Sequence, residues 1–292
     1  MNRPAGRPGK NVNFSPGRKT GDPGRMKRLY RQKELWMNME IGAQSYTVRK
    51  YCQNAEDLAA TLEKISAIGY RNIQLSAIGP IDPAEVRRLC DLNGLRIVLT
   101  HNPAKEFLEN PEETIRRNQL YGCKYVGLGS MPDKYRTPDG VKAFADDFGP
   151  AAERIRAAGL KMMYHNHSFE FERMPDGGTM MDRLLDLVPA DLMGVTADTY
   201  WLHYGGMDVY SWLEKHAERL HCVHLKDFAI FGFEIRMAAV GRGNLDFGRI
   251  MDILSRNNVT EYALVEQDEC YGESPFDCLK QSYEYLAKRA NR

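Results

Sequence analysis

Short apolar runs alternate with longer amphipathic segments along most of the chain. The run RIVLTH is typical of a short buried strand, whereas AEDLAATLEKISAIG has apolar residues at Leu58, Leu62 and Ile65, the spacing of one helical face. From residue 41 onward this alternation predicts eight units, each a strand followed by a helix. The predicted strands are IGAQSYTV, RNIQLSAIG, RIVLTH, YVGLG, KMMYH, LMGVTAD, CVHLKDF and YALVEQD.

The number of units indicates the fold class. Apolar strands that are each followed by a helix are typical of a parallel sheet whose outer face is covered. Eight such units in about 250 residues predict an α/β protein with a single (β/α)8 TIM barrel rather than a doubly wound sheet. No GxGxxG or GxxxxGK[ST] motif follows a strand, which argues against dinucleotide and P-loop sites. We expect the helix after the fourth strand to break near Gly149-Pro150.

Polar side chains occur at the ends of the last four predicted strands. They are His165, Asp198, His224 and Glu266. Functional groups of such barrels lie at the carboxyl ends of the strands, which lie about 4.8 Å apart. A single strand-end histidine or aspartate is more often an ordinary hydrogen-bonded or capping residue. Four at one height predict a site for one divalent metal ion, because imidazole and carboxylate ligands suit Mn, Co, Fe or Zn.

Other polar residues near these strand ends are candidates for binding substrate. Lys226 shares a strand face with His224, so we expect it to neutralise a developing oxyanion or to pair with a neighbouring acid. His101 ends the third predicted strand and is expected either to line a substrate pocket or to be structural. His221 points away from His224 and is predicted to be structural.

The charge is unevenly distributed along the chain. Residues 1–33 hold ten Lys or Arg and one acid, whereas the remainder holds 30 basic and 38 acidic residues. We therefore predict a disordered, basic, Gly/Pro-rich extension over residues 1–38 and a barrel domain over residues 39–292. The acidic domain argues against a nucleic-acid surface. The chain has no apolar run of about 20 residues for a membrane span and no apolar secretory signal core.

The cysteine pattern bears on the compartment. Six cysteines are scattered with no CxxC motif, which predicts reduced thiols in a cytoplasmic protein.

Five segments, in this order, resemble the sugar phosphate isomerase/epimerase family with its xylose-isomerase-like TIM barrel. They are YHNHSFEFE, ADTYWLHYGG, VHLKD, VGRGNLDF and VEQDECYG, and the resemblance runs from about residue 41 to the C-terminus. It implies that Asp198, His224 and Glu266 are metal ligands. The strand-five ligand of the family is commonly a glutamate, and here His165 stands at that position. This departure removes a carboxylate that epimerases use for proton transfer.

The resemblance also implies roles for residues around the ligands. His167 lies where relatives often have a catalytic Lys or His, and Glu170 matches a glutamate that hydrogen-bonds substrate, so both are candidate catalytic residues. Trp201 stands three residues after Asp198, where many relatives have a second histidine, and is a candidate substrate contact. Arg242 lies in a glycine turn that helps to close the pocket in the family.

The reaction implied by the resemblance is metal-assisted removal of an α-proton. The cofactor would be one divalent metal ion (Mn, Co, Zn, Fe or Mg, with Mn favoured), which stabilises an enediolate formed from a sugar or cyclitol. Glu266 or His167 would remove the proton. We expect an isomerase or epimerase, and a homo-oligomer is compatible with the resemblance. No cluster of Arg and Lys marks a phosphate site at the last two strands, which favours an unphosphorylated sugar.

Three alternatives remain open at this point. The first is a dehydratase or lyase that acts on an inosose or 3-keto sugar at the same metal site. The second is an endonuclease IV-like DNA repair enzyme, which the acidic barrel domain disfavours. The third is a non-catalytic barrel that binds a sugar.

Overall fold

Eight parallel strands close into a barrel in the computed structural model, which describes residues 39–290. The barrel strands in chain order are β1 (Glu40–Gln44), β2 (Asn72–Leu75), β3 (Arg96–Asn102), β4 (Tyr125–Leu128), β5 (Lys161–His165), β6 (Met193–Asp198), β7 (Cys222–Leu225) and β10 (Tyr262–Val265). Two further strands, β8 (Asp227–Phe231) and β9 (Glu234–Ala238), form a separate two-stranded sheet. The order around the barrel is β1-β10-β7-β6-β5-β4-β3-β2. The (β/α)8 prediction is confirmed, and the predicted extension over 1–38 lies outside the described residues.

Helices cover the outside of the barrel. In chain order they are α1 (Ala55–Ile68), α2 (Pro83–Leu92), α3 (Ala104–Glu109), α4 (Pro111–Tyr121), α5 (Gly140–Ala157), α6 (Met180–Leu187), α7 (Thr199–Tyr204), α8 (Val209–Lys215), α9 (Phe247–Asn257) and α10 (Pro275–Ala290). Their apolar faces pack on the strands and form one continuous core. Within residues 39–290, no helix combines the length and the apolar character needed to cross a membrane.

Capping residues mark the starts of the helices. The Asp82 carboxylate accepts the backbone N–H of Ala84, and Pro83 occupies the first position of α2. Thr179 and Asp182 form a reciprocal capping box at the start of α6. These side chains satisfy N–H groups that the first helical turn leaves without partners.

Helix α5 continues through Gly149-Pro150, so the predicted break at this point is wrong. Proline removes one helical hydrogen bond and normally disfavours the helical conformation of the residue before it by a clash with that residue's Cβ. Gly149 has no Cβ, which relieves this clash. Phe148, Ala151 and Ala152 are buried on either side, so packing against the core stabilises the continuous helix.

Two segments differ from the predicted strands. The first strand ends at Gln44 rather than Val48, because the Gln44 side chain accepts the backbone N–H of Tyr46 and starts a 3-10 segment. The end of CVHLKDF leaves the barrel and forms an antiparallel hairpin of β8 and β9. Phe233 lies in the turn between these strands and is fully exposed.

Side-chain alternation divides the barrel interior into layers. A small apolar cluster lies inside it and includes Leu99, Tyr125, Met163, Cys222 and Leu264. Residues two positions further along these strands point to the same side, nearer the carboxyl ends. This alternation turns the polar strand ends toward the barrel axis.

Candidate active site

Four strand-end side chains meet in the mouth of the barrel. His165, Asp198, His224 and Glu266 are all buried, and each offers a ligand atom within 4.8 Å of the others. Strand register accounts for part of this convergence, because Asp198 of β6 lies directly opposite His224 of β7. The four residues predicted to bind metal are therefore neighbours in space.

Hydrogen bonds to the far side of each imidazole fix its orientation. The Nδ1 atom of His165 lies 2.9 Å from the backbone oxygen of Gly129, which can only accept, so Nε2 faces Asp198 Oδ2 at 3.3 Å. The Nε2 atom of His224 lies 2.7 Å from the side-chain oxygen of Gln74, which leaves Nδ1 facing the cluster. Metal-binding histidines are oriented by such partners.

The residues present fit a divalent metal ion. The Nδ1 atom of His224 lies 2.9 Å from Glu266 Oε2 but has no hydrogen-bond partner among residues 39–290. Two acceptor atoms this close repel each other unless a proton or cation lies between them. Burial opposes protonation of His224, but the charges of Glu266 and Asp198 prevail and raise its pKa to about 9. The position therefore attracts positive charge, and a donor set of two imidazoles and two carboxylates suits Mn, Co, Fe or Zn.

The protein holds one oxygen of each carboxylate and leaves the other facing the cluster. Asp198 Oδ1 accepts the backbone N–H groups of Tyr200 and Trp201 at 2.9 and 3.0 Å and thereby caps α7. Glu266 Oε1 accepts the side-chain amide of Gln44 at 2.8 Å. The carboxylates are thus oriented before any ion binds.

Lys226 is a buried cation beside the ligand cluster. Its Nζ atom lies 3.4 Å from Asp198 Oδ2, 3.3 Å from Glu266 Oε2 and 2.7 Å from Asp268 Oδ1. Burial lowers the pKa of Lys226, but these three carboxylates prevail and raise it above its ordinary value. Of the two roles expected for Lys226, the structure shows the pairing with neighbouring acids. Its role in neutralising an oxyanion stays a prediction.

Glu170 is enclosed by protein partners. Oε1 accepts the Tyr164 hydroxyl at 2.7 Å, and Oε2 accepts the backbone N–H of His167 at 2.8 Å. Burial raises the pKa of Glu170 to about 7. The carboxylate therefore positions the segment that carries His167, and its expected contact with substrate stays a prediction.

His167 lies next to the cluster. Its ring centroid is 4.7 Å from that of His165 and 5.4 Å from that of Trp201. Burial, followed by the neighbouring His165, lowers the pKa of His167 to about 3, so the ring is neutral at physiological pH. Its Nδ1 atom has no hydrogen-bond partner in the described part of the chain. Trp201 also lies over Lys226, with Nζ 5.2 Å from the ring centroid.

A cavity of about 410 Å³, which we call the active-site cavity, opens beside the ligands. His165, Lys226 and Glu266 line one side of it. The loops after β1 to β4 line the other side, and His101 is part of this wall. The Nδ1 atom of His101 lies 3.2 Å from the Ser76 hydroxyl oxygen. The structure thus places His101 where a substrate-pocket residue was expected.

Arg242 lies apart from this group. It lines a different cavity of about 230 Å³ together with Cys270 and Gln281. The buried Asp227 carboxylate holds the glycine turn by accepting the backbone N–H groups of Gly241 and Gly243, each at 3.0 Å. The substrate role of Arg242 stays a prediction.

Gln44 and Gln74 support the ligands, and the sequence analysis did not select them. Each is a fully buried amide residue next to apolar residues of its strand, with Ala43 before Gln44 and with Ile73 and Leu75 on either side of Gln74. That contrast is the signal that could have found them, because a buried polar side chain needs a partner inside the protein.

The family is shown by comparison with known proteins. The family model described as xylose isomerase-like TIM barrel matches residues 62–289. This chain belongs to that family. The sequence resemblance to this family is therefore confirmed.

The chain is also similar to individual proteins, at 25–27% identity. The inosose dehydratase of Clostridium perfringens is 27% identical over 167 residues, which are 51% of this chain and 55% of that enzyme. The chain thus spans about half the length of that relative. The inosose dehydratase of Clostridium beijerinckii is 27% identical over 268 residues, 78% of this chain and 88% of that enzyme. A crystal structure of a sugar phosphate isomerase/epimerase from Parabacteroides distasonis has a TM-score of 0.72 at 25% identity, over 86% of this chain and 98% of that one.

Proposed function

We propose that this xylose isomerase-like barrel is a divalent-metal-dependent isomerase or epimerase that acts on a keto sugar or related polyol. The observation that carries the proposal is the buried cluster of His165, Asp198, His224 and Glu266 beside the active-site cavity. The Parabacteroides distasonis isomerase/epimerase with the same fold supports it.

The four clustered residues would hold the ion, and their mixed imidazole and carboxylate donors suit Mn, Co, Fe or Zn, of which we propose Mn. A bound ion supplies Lewis acidity, which stabilises negative charge on substrate oxygens when an α-proton leaves. His167 is the proposed base, because its ring lies beside the cluster and its Nδ1 atom has no partner in residues 39–290. Glu266 is the less suitable base, since Gln44 and Lys226 engage its two oxygens.

The charges favour an unphosphorylated substrate. Lys226 is the cation that lines the active-site cavity, and three carboxylates already surround it. A phosphate group would have to compete with them. We also propose the cytoplasm as the compartment, because all six cysteines are free thiols.

A dehydratase that acts on an inosose or 3-keto sugar is the second candidate. The curated relatives from Clostridium are named inosose dehydratase. His165 also stands where a carboxylate would flank the reacting carbon in an epimerase. Dehydration would use the same metal-binding cluster and would differ in the loss of a β-hydroxyl.

Incubation in D₂O separates these reactions. The Mn-loaded protein is mixed with a panel of ketoses, 3-keto sugars and inososes and followed by NMR. Deuterium uptake at an α-carbon without loss of water is the result expected for an isomerase or epimerase. Loss of a hydroxyl would favour the dehydratase. Neither deuterium uptake nor loss of a hydroxyl with any member of the panel would contradict both.

Two histidine variants test the assigned roles. His165→Ala is expected to lower metal occupancy, because it removes a ligand. His167→Ala is expected to keep the metal and to lose 10²- to 10⁴-fold in turnover, the usual contribution of an acid–base residue. His221→Ala is the control, because His221 stacks on Tyr125 away from the cluster, with ring centroids 5.6 Å apart. If His165→Ala keeps the metal and His167→Ala loses it, the roles assigned to these two histidines must be exchanged.

A further inference from the structure

A second cavity of about 500 Å³ adjoins the active-site cavity, and we call it the outer cavity. The two cavities share Ser76, His101, Asn102 and Pro103 in their linings, so they meet at the ends of β2 and β3. The active-site cavity alone has the room of about fourteen water molecules at ~30 Å³ each, which is enough for one hexose or cyclitol ring. The outer cavity therefore offers additional space for a substituent on that ring.

The lining of the outer cavity is largely apolar. Side chains of Leu75, Ile78, Ile81, Pro83 and Tyr121 contribute to it. Such a wall favours a ligand group that loses apolar surface to water when it binds.

The charged residues of the outer cavity neutralise each other. Arg117 pairs with Glu106 and also donates to Asn102 Oδ1 at 2.8 Å. Glu106 Oε2 in turn accepts the Thr114 hydroxyl at 3.0 Å. An anionic group would find no unpaired cation among the residues that line this cavity.

The loop that forms one wall is held in place. Ala77 has a φ of 53°, a left-handed conformation that costs an alanine about 1 kcal/mol or more. Gln53 donates from its side-chain amide to the Ala77 oxygen at 2.9 Å, and Gly79 donates from its N–H to the Cys52 oxygen at 2.9 Å. A Cβ at Gly79 would lie 2.0 Å from the Gln53 oxygen, so the two segments are in direct contact. The outer cavity is therefore formed before a ligand binds.

Resting on the proposed function, we propose that the substrate is a keto sugar or cyclitol that carries an uncharged, largely apolar substituent, as in a glycoside with an apolar aglycone. The ring occupies the active-site cavity and the substituent occupies the outer cavity. His101 lies at the junction of the two cavities, and its buried Nε2 atom has no hydrogen-bond partner within residues 39–290.

Binding of two probes tests the substituent without requiring turnover. Phenyl and methyl β-D-glucoside are titrated into the Mn-loaded full chain by calorimetry. We expect the phenyl glucoside to bind at least tenfold more tightly, because its ring leaves water for the apolar wall. Glucose 6-phosphate is expected to bind more weakly than the phenyl glucoside.

Two tryptophan variants locate the effect. Ile78→Trp fills the outer cavity from a half-buried position and is expected to abolish the preference for phenyl while leaving the methyl glucoside Kd within twofold. Ile230→Trp, on the exposed face of the hairpin, is the matched control and should keep the preference.

Equal binding of the two glucosides, binding of neither, tighter binding of glucose 6-phosphate, or a preference that survives in Ile78→Trp would each overturn this inference. The preference together with no deuterium exchange would support the outer cavity and contradict the proposed reaction. Deuterium exchange without a preference for the phenyl glucoside would support the proposed reaction and contradict the proposed role of the outer cavity.

Discussion

Gln74 is predicted to set the metal affinity of the site through His224, although it is not itself a ligand. Its side-chain oxygen accepts the Nε2 hydrogen of His224 at 2.7 Å, and both side chains are fully buried. Gln74→Leu removes this acceptor at similar volume. The imidazole then has a buried N–H without a partner and is no longer held with Nδ1 toward the cluster.

The magnitude follows from two independent considerations. An unsatisfied buried polar group costs about 1–3 kcal/mol. Loss of a hydrogen-bond partner of a metal-binding histidine typically weakens metal binding about 10- to 100-fold. Because about 1.4 kcal/mol corresponds to a factor of ten, the two ranges agree. We expect the Mn²⁺ Kd of Gln74→Leu to rise about 10- to 100-fold.

Metal titration against a competing chelator measures this change directly. Gln74→Glu keeps the acceptor and should retain the native affinity or exceed it. Thr196→Val is the packing control, because Thr196 is fully buried in β6, the strand that pairs with the His224 strand β7, and its hydroxyl has no partner in residues 39–290. Native affinity in Gln74→Leu, or an equal loss in Thr196→Val, would refute the reasoning.

Two further predictions concern the free energy of unfolding, one as a function of pH and one as a function of bound Mn²⁺. Because burial raises the pKa of Glu170 from 4.5 to about 7, the stability associated with its protonation is present below pH 4.5 and is lost as pH rises through 7, by about 3 kcal/mol. Urea unfolding at several pH values should show this slope in the native protein and not in Glu170→Gln, and equal slopes would contradict it. Mn²⁺ at 100 times its Kd should stabilise the chain by about 2.7 kcal/mol and raise Tm by roughly 5–10 °C over chelator-treated protein. Asp198→Asn, which can still cap α7, should show no such rise in a thermal-shift assay, and a native-sized rise would argue against Asp198 as a ligand.

The features that could be predicted are those encoded locally. The eight barrel strands and most of the helices carry periodic apolar patterns and capping residues, as in the Asp82-Pro83 start of α2. The metal-binding cluster was predictable for a related reason. Once eight strands are parallel and consecutive, polar residues at their carboxyl ends must lie together at one end of the barrel.

The features that could not be predicted depend on long-range contacts. Pro150 normally signals a break, but packing of α5 and the absence of a Cβ at Gly149 outweigh that preference. The β8–β9 hairpin continues directly from a barrel strand, so no composition change marked its start. The support of His224 by Gln74 joins residues that are 150 positions apart.

The four clustered side chains and the opposite wall of the active-site cavity lie on different halves of the barrel. The carboxyl ends of β5, β6, β7 and β10 carry the four clustered side chains, whereas the ends of β1 to β4 and the loops after them form the opposite wall of the active-site cavity. The strands of the second half still orient the cluster through Gln44 and Gln74, but the loops that follow them do so through no side chain described above. Substitutions in the β2 and β3 loops would therefore alter the cavity wall and leave the cluster intact, whereas substitutions at the end of β5 would alter the cluster and leave that wall intact. This division offers one physical reason why enzymes with different reactions share this fold.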